Sequence, residues 1–498
     1  MRKLQRATRK KKRGGTIAQQ QLPDEIVWEI LSLLPVKPLH RFKSVCKAWR
    51  ATIADPAFIR AHLRRRSAAN RDRDEYPAFL ISPNNNNNTA PDSDSSGQTA
   101  IRFYRWKPPP PQQQQGASAA AEVEHLHTKD FGNDYGGFKR VRALAHCDGL
   151  VLAPTDTALH LFNPATRDAL TLPDSDLNNL RMSGSLCCYC AGLGLDPRSG
   201  MYKVVQAFCR PVEEVPAYYL LEHPDYTEDT VPAMGMEVFT VAGYGGEWRE
   251  IEDDLPYPIK RHQTGVSVNG FIFWRIDRRT RQRRVKQRRP SPPPPPRGVL
   301  CLSLADEEFS VTKLPDSLDP AFDDAFVLDE LRGRELCLSA RTAPEAMTIW
   351  TMSIEDGMTS PSSSPWERRY AIRVSDHLFR PMAILHGGSG IVLRREEGGD
   401  SRTLHRYDLV TSELTTLCRM DRVRYQQQGR GRGARKWNKS LASFDVRPYT
   451  ESLVRVTREP RPLVHPDKAG PCLIDILRAE LLWTFRNGTL AVASRSRQ

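Results

Sequence analysis

The sequence contains no apolar run near the ~18 residues that a membrane-spanning helix requires, and its mean hydropathy is −0.54. The first fifteen residues, MRKLQRATRKKKRGG, are basic with no apolar stretch behind them, so they do not read as a secretory signal. The expected location is therefore the nucleus, the cytoplasm or both. Cysteine is sparse: ten residues in 498, scattered, do not make a disulfide framework. Short signatures of catalysis are also missing. There is no G-x-S-x-G, no G-x-x-x-x-G-K-[ST] and no H-E-x-x-H. The twelve histidines show no metal-ligand spacing. Gly192-Leu193-Gly194 lacks the third glycine and the following helix of a dinucleotide site. Cys187-Cys188-Tyr189-Cys190 has only His146-Cys147 as a near companion pair, whereas zinc wants two matched clusters. The reading is of a chain with no cofactor, no metal and no catalytic residues.

Acidic charge is the other shortage, but a local one. The formal net charge is +14. Residues 1–14 hold eight Lys/Arg and no acid, and residues 278–289 hold another eight and no acid, which leaves the remainder at −2. The positive charge thus sits in a tail and one loop rather than on a folded basic face. Nucleic acid is accordingly not the expected partner. Arg9, Lys10, Lys11, Lys12 and Arg13 form a possible nuclear-import signal, with a solvated tail as the plain alternative. The loop RRTRQRRVKQRRPSPPPPP (278–296) reads as a tolerated insertion projecting as an arm that ends in polyproline II.

Residues 21–65 are the one clearly helical stretch. Pro23 suits a helix start, and Asp24 and Glu25 suit its first turn. Ile26, Ile30 and Leu34 fall at helical spacing, with Val27 and Leu31 beside them. Pro35 and Pro38 stop that helix and permit a second carrying Leu39, Phe42, Val45, Cys46, Trp49 and Ile53 on one face. A third begins near Pro56. Three short helices in about 45 residues make a core that is marginal alone.

From about residue 141 the texture changes to short β-type segments between Gly, Asn, Asp and Pro turns. One unit recurs as a turn entering an apolar strand: HCDGLVLA (146–153), SVNGFIFW (267–274), LRGRELCLS (331–339), LHGGSGIVL (385–393) and RNGTLAVA (486–493). Another is a hairpin that often closes on Leu-Pro, as in LHLFNPATRDALTLP (159–173) and LCLSLADEEFSVTKLP (300–315). MEVFTVAGYGGEWREI (236–251) and the pair TIWTMSI with PWERRYAI are looser copies. Repeated hairpins without helices predict a β-propeller over 76–456 of about six blades once low-complexity inserts are set aside. Those inserts fall near 83–100, 107–121, 278–297 and 424–437. The fold expected is α+β and multidomain: a basic tail (1–20), a three-helix unit (21–65), a linker (66–75), an all-β propeller (76–456), and a C-terminal segment at 457–498 that is a candidate to close it. CLIDILRAELLWTF (472–485) is a late helix candidate.

Two family resemblances follow. The first segment resembles the F-box family in Leu22-Pro23, Glu25-Ile26, Ile30-Leu31, Leu34-Pro35, Leu39, Val45-Cys46-Lys47, Trp49-Arg50 and Phe58-Ile59. The second region is similar to the F-box-associated propeller of plants, a kelch-like domain. It has, in order, Asp148-Gly149-Leu150, Phe162-Asn163-Pro164-Ala165-Thr166-Arg167, Gly194-Leu195-Asp196-Pro197, Tyr202-Lys203-Val204-Val205, Glu237-Val238-Phe239, Trp248-Arg249, Val268-Asn269-Gly270 and Trp274. The resemblance implies a non-catalytic, substrate-choosing adaptor of an SCF-type cullin–RING ubiquitin ligase. Its F-box would dock a Skp adaptor, and through it a cullin scaffold, while the propeller presents loops to a target protein. Carried over, the adaptor contacts would be Leu22, Pro23, Ile26, Ile30, Leu34, Pro35, Leu39, Val45, Cys46 and Trp49, with Leu22, Pro23 and Pro35 foremost because they flank the helix. The plain alternative is that most of these residues fill the helical core. Rival functions are a Skp-binding scaffold that drives no degradation, a nucleic-acid binder using the two basic segments, and a propeller enzyme.

Overall fold

The computed structural model describes residues 22–457 outside a set of breaks, those longer than six residues being 85–99, 109–121, 178–189, 210–229, 284–294, 356–365, 396–402 and 426–434. The basic tail with Arg9–Arg13, most of the basic loop, Cys187–Cys188 and everything expected beyond 457 lie outside the described residues.

Four helices come first: α1 (Asp24–Leu33), α2 (Val36–Phe42), α3 (Lys47–Ala54) and α4 (Pro56–Asp72). The single second helix expected over 39–53 is therefore two. Val45 and Cys46 form the break, with Cys46 extended at φ −155° and its Sγ accepting from Trp49 N at 3.4 Å. The carbonyl of Lys43, orphaned at the end of α2, accepts from Arg50 Nε at 2.9 Å. Asp55 starts α4 by accepting from Ala57 N at 2.6 Å. This helix runs past 65, so the segment read as a linker from 66 begins helical. The helices bury Leu31, Leu34, Val36, Leu39, Phe42, Trp49, Ile53 and Phe58 together, and Leu453 from the far end of the propeller completes that core.

The propeller has six blades: five are antiparallel sheets of four strands, and in blade 1 the four antiparallel strands are extended at the outer edge by Arg424–Tyr425, which runs parallel to Glu122–Asp130, and by Arg435–Lys436. The innermost strands are Ala145–Cys147, Ala191–Leu195, Val266–Val268, Phe326–Leu331, Phe379–Ile384 and Ser443–Pro448. Blade 1 is closed by the late strand, which pairs Ile81 with Val446 and Phe79 with Pro448. Its other strands are Phe79–Asn84, Ala100–Trp106 and Glu122–Asp130. Pairing this late strand with the first strand of the ring completes the propeller, leaving only the short outer edge of each blade. The basic insertion departs from the expected free arm: Arg281–Arg283 forms a short parallel pair with Thr230–Pro232.

Packing between blades explains several recurring residues. Trp274 and Trp350 are buried, and Gly192 and Gly194 allow Ile272, Trp274 and Leu304 to approach the neighbouring backbone closely. The Leu-Pro endings receive a repeated latch. Trp248 Nε1 donates to Pro173 O at 2.8 Å and Trp366 Nε1 to Lys313 O at 2.7 Å, each reaching back to the preceding blade. Among the described residues no helix is long and apolar enough to cross a membrane.

Candidate docking surface and the two propeller faces

Helix α1 carries apolar residues on two sides. Val27, Leu31 and Leu34 turn toward the helical core. Ile26, Ile30 and Leu33, spaced four and three apart, form a second stripe along the helix, and Leu22 lies just before its start. Leu22 is 43% exposed, Ile26 46% and Leu33 60%, and these are three of the large hydrophobic residues that stay in solvent. Ile30 is half-buried. Water-facing apolar residues gathered on one helix are the mark of an unfilled interface.

The expected contact residues divide accordingly. Leu22, Pro23, Ile26 and Cys46 are exposed, and Ile30, Pro35 and Val45 are half-buried. Leu34, Leu39 and Trp49 belong to the interior: they are buried in the helical core, Trp49 against Phe42 with ring centroids 5.2 Å apart. Leu33 was not among the expected residues. Its signal was its place seven residues after Ile26, on the same side of α1.

The helices sit on one face of the propeller. Leu453 enters their core, and Ala165, from the turn between the third and fourth strands of blade 2, packs against it. Arg66 Nη2 meets Glu451 Oε1 at 2.5 Å, and Arg105 Nη1 meets Glu451 Oε2 at 3.5 Å. Lys37 reaches Glu124 at 3.8 Å.

The motifs of the second resemblance build that face. Asn163 Nδ2 donates to Ser452 O at 3.0 Å and Val454 O at 2.6 Å, while its Oδ1 accepts from Ala165 N at 3.0 Å. Asp168 Oδ2 accepts from Arg455 Nε at 2.8 Å, Val456 N at 3.0 Å and Thr457 N at 3.1 Å. These bonds to its charged form hold the Asp168 carboxyl below its ordinary range even though burial alone would raise it. Gly149 has φ +80°, and a Cβ there would lie 2.6 Å from Thr450 O, so glycine is required. The run 162–168 is thus a clamp on residues 452–457, and through them on the helices.

Lys203 ties blade 3 to blade 4 rather than forming a reactive centre. Its Nζ lies 2.9 Å from both Asp196 and Glu307 and donates to Leu304 O at 2.6 Å. Burial pushes the thiols of Cys147, Cys301 and Cys337 up, away from thiolate chemistry. Cys190 is buried, its Sγ donating to Lys260 O at 3.3 Å. Among the described residues no cluster of His, Cys, Asp and Glu could hold a metal ion.

The opposite face is where the chain enters each innermost strand. There the axial channel opens as a cavity of about 270 Å³ lined by Lys260, Gln263, Arg275, Phe326 and Arg380, with Asp329 and Arg447 deeper. Asp329 Oδ2 meets Arg380 Nη1 at 2.7 Å and Arg447 Nη1 at 3.4 Å. Asp445 Oδ2 accepts from Leu144 N at 2.6 Å, and its Oδ1 lies 3.4 Å from Arg394 Nη1. The arginines hold both carboxyls below their ordinary range against the opposing effect of burial.

Comparison with known proteins agrees with this arrangement. Residues 119–382 match the F-box associated beta propeller domain, and residues 20–60 match the F-box domain. The chain is 24% identical over 373 residues to a putative F-box/kelch-repeat protein of Arabidopsis thaliana, covering 74% of each. It is 26% identical over 262 residues to a putative F-box protein of the same plant, covering 51% of this chain and 57% of that one. A 187-residue stretch, 37% of this chain and 44% of the relative, is 31% identical to another Arabidopsis F-box/kelch-repeat protein. The chain belongs to the plant-type F-box proteins whose body is an F-box-associated β-propeller.

Proposed function

We propose that this protein is the substrate-recognition adaptor of an SCF-type ubiquitin ligase. The observation that carries the reading is the solvent-facing stripe Ile26, Ile30 and Leu33, with Leu22 just before it, on a helix already packed on its other side. A Skp adaptor covers the stripe, and the turns at Pro35 and at Val45–Cys46 extend the contact. The target binds the propeller face that points away from the helices. Ubiquitin chemistry belongs to other subunits, and this chain supplies proximity by holding target lysines near a charged ubiquitin carrier.

The test is a reconstituted ligase containing the full chain, Skp adaptor, cullin and RING subunit, incubated with plant extract. Ubiquitin conjugates dependent on this chain, and lost in an Ile26→Asp, Leu33→Asp variant, are expected. Adaptor binding without any chain-dependent conjugates overturns the degradative reading in favour of a scaffold.

A further inference from the structure

We propose that the docking end of the molecule carries a basic edge at the start of α3, which receives an acidic stretch of the Skp adaptor and steers its approach. This inference rests on the reading of α1 as a docking helix, and adds to it the charge that the partner brings. Residues 22–66 hold nine Lys/Arg and four acids, and from Ile30 to Ala54 there are five Lys/Arg and no acid. Three of the nine are engaged within the structure: Lys37 with Glu124, Arg65 with Glu29 and Arg66 with Glu451. Lys47 and Arg50, both on α3, form no ion pair among the described residues.

Their position breaks a local rule. A helix start is positive, so acids are favoured there and cations are not. Helix α1 obeys, with Asp24 and Glu25 in its first turn. Helix α3 does the reverse: its first turn has no acid, Lys47 is its first residue, and Arg50 follows at the next turn on the same side. Like charges at that spacing also repel. Natural chains keep such conflicts mainly where function needs them.

The edge borders the surface already read as a docking contact. Lys47 is exposed and directly follows Cys46, itself exposed at the turn through which that contact extends. Arg50 Nε donates to Lys43 O at 2.9 Å, which holds the guanidinium beside the same turn. An acidic side chain arriving there meets two cations and a helix start together. Nucleic acid is the poorer match: two cations are few for a phosphate backbone, and the exposed residues Ile26 and Leu33 of the same helical unit are apolar.

Charges at the rim of an interface act mainly on the rate of association and its salt dependence. The test is stopped-flow association of the full chain with purified Skp adaptor at low and high salt. The variants are Lys47→Glu, which leaves the Arg50–Lys43 bond in place, and Arg50→Gln. Association of the parent should slow as salt rises. Lys47→Glu should lower the low-salt association rate about tenfold, change the dissociation rate far less, and lose most of the salt dependence. Because it removes a conflict at a helix start, it should unfold at the same temperature as the parent or higher. Arg50→Gln should slow association by a smaller factor. A parent that binds tightly, at a rate indifferent to salt and to Lys47→Glu, overturns the basic edge and leaves docking by the stripe standing. A folded parent that does not bind the adaptor overturns both. Loss of duplex-DNA binding in Lys47→Glu, with adaptor association unchanged, assigns the edge to nucleic acid and overturns the proposal.

Discussion

Arg66 of α4 holds its guanidinium 2.5 Å from the carboxylate of Glu451, a residue that follows the last strand of the propeller ring. The pair is 385 residues apart in sequence. Two residues beyond Glu451, Leu453 is buried in the core of the helices. Helices and propeller therefore share a core instead of hanging on a linker. In the proposed adaptor role this has a mechanical consequence: the orientation of the propeller face away from the helices relative to the exposed stripe is set by packing. Leu453→Ala should cost about 2–5 kcal/mol. Chemical denaturation followed by far-ultraviolet circular dichroism and by tryptophan fluorescence should show one shifted transition. Two separate transitions in the parent protein would show that the halves unfold independently.

Asn163 and Asp168 tie down the same segment from blade 2. In Asn163→Ala the carbonyls of Ser452 and Val454 lose their donor while remaining buried, at a cost of ~1–3 kcal/mol for each group left unpaired. Asn163→Asp is expected to be worse, because a carboxylate would face two carbonyl oxygens. Limited proteolysis should cut near 452–457 in both variants before it cuts the blades. Cleavage unchanged from the parent would remove the clamp from the account.

Lys203 is buried with Asp196 and Glu307. Lys203→Met keeps the length of the stem and removes the charge, leaving the buried Asp196 without its cation and the half-buried Glu307 with Arg249. A loss of about 3–5 kcal/mol is expected, as for removal of one partner from a buried ion network. Replacing Arg249, the more exposed member at 59%, should cost far less. Equal losses from the two substitutions would contradict this ordering.

His160 is buried between blades 1 and 2, 4.2 Å from the Phe131 ring, and burial lowers its pKa from 6.5 to about 4. The unfolded chain therefore binds a proton between pH 6.5 and 4 that the folded chain refuses. Stability should be full above pH 6.5 and fall as the pH drops through that window, by up to about 3 kcal/mol from this residue. In His160→Gln the difference in stability between pH 7.5 and pH 5 should shrink. A difference as large as in the parent would assign the acid sensitivity to other groups.

Much of this architecture is legible in the residues. The 3.6-residue spacing of Ile26, Ile30 and Leu34 marks α1, and the ordered hairpins from DGL to VNG-x-x-x-W mark the blades. Helical spacing alone did not divide the two apolar sides of α1. Leu34 and Ile30 look alike in sequence, yet Leu34 turns inward and Ile30 lies on the outer stripe, while Leu33 escaped notice. The break at Val45–Cys46 was hidden because it depends on Arg50 reaching the Lys43 carbonyl, a contact no periodicity announces. The clamp on 452–457 joins residues nearly three hundred positions apart, and ring closure by Ser443–Pro448 joins residues well over three hundred apart, which short motifs name without explaining. The channel cavity escaped for the same reason, since its cations come from four different stretches of chain.

The account rests on the exposed stripe being a docking surface. The most direct measurement is titration of purified Skp adaptor into the full chain and into a Leu22→Ser, Ile26→Asp, Leu33→Asp variant, with the thermal transition of each recorded alongside. The account predicts tight binding by the parent, and loss of binding by a variant that unfolds at nearly the same temperature. A folded parent that does not bind the adaptor, or a variant that binds as well as the parent, would contradict it.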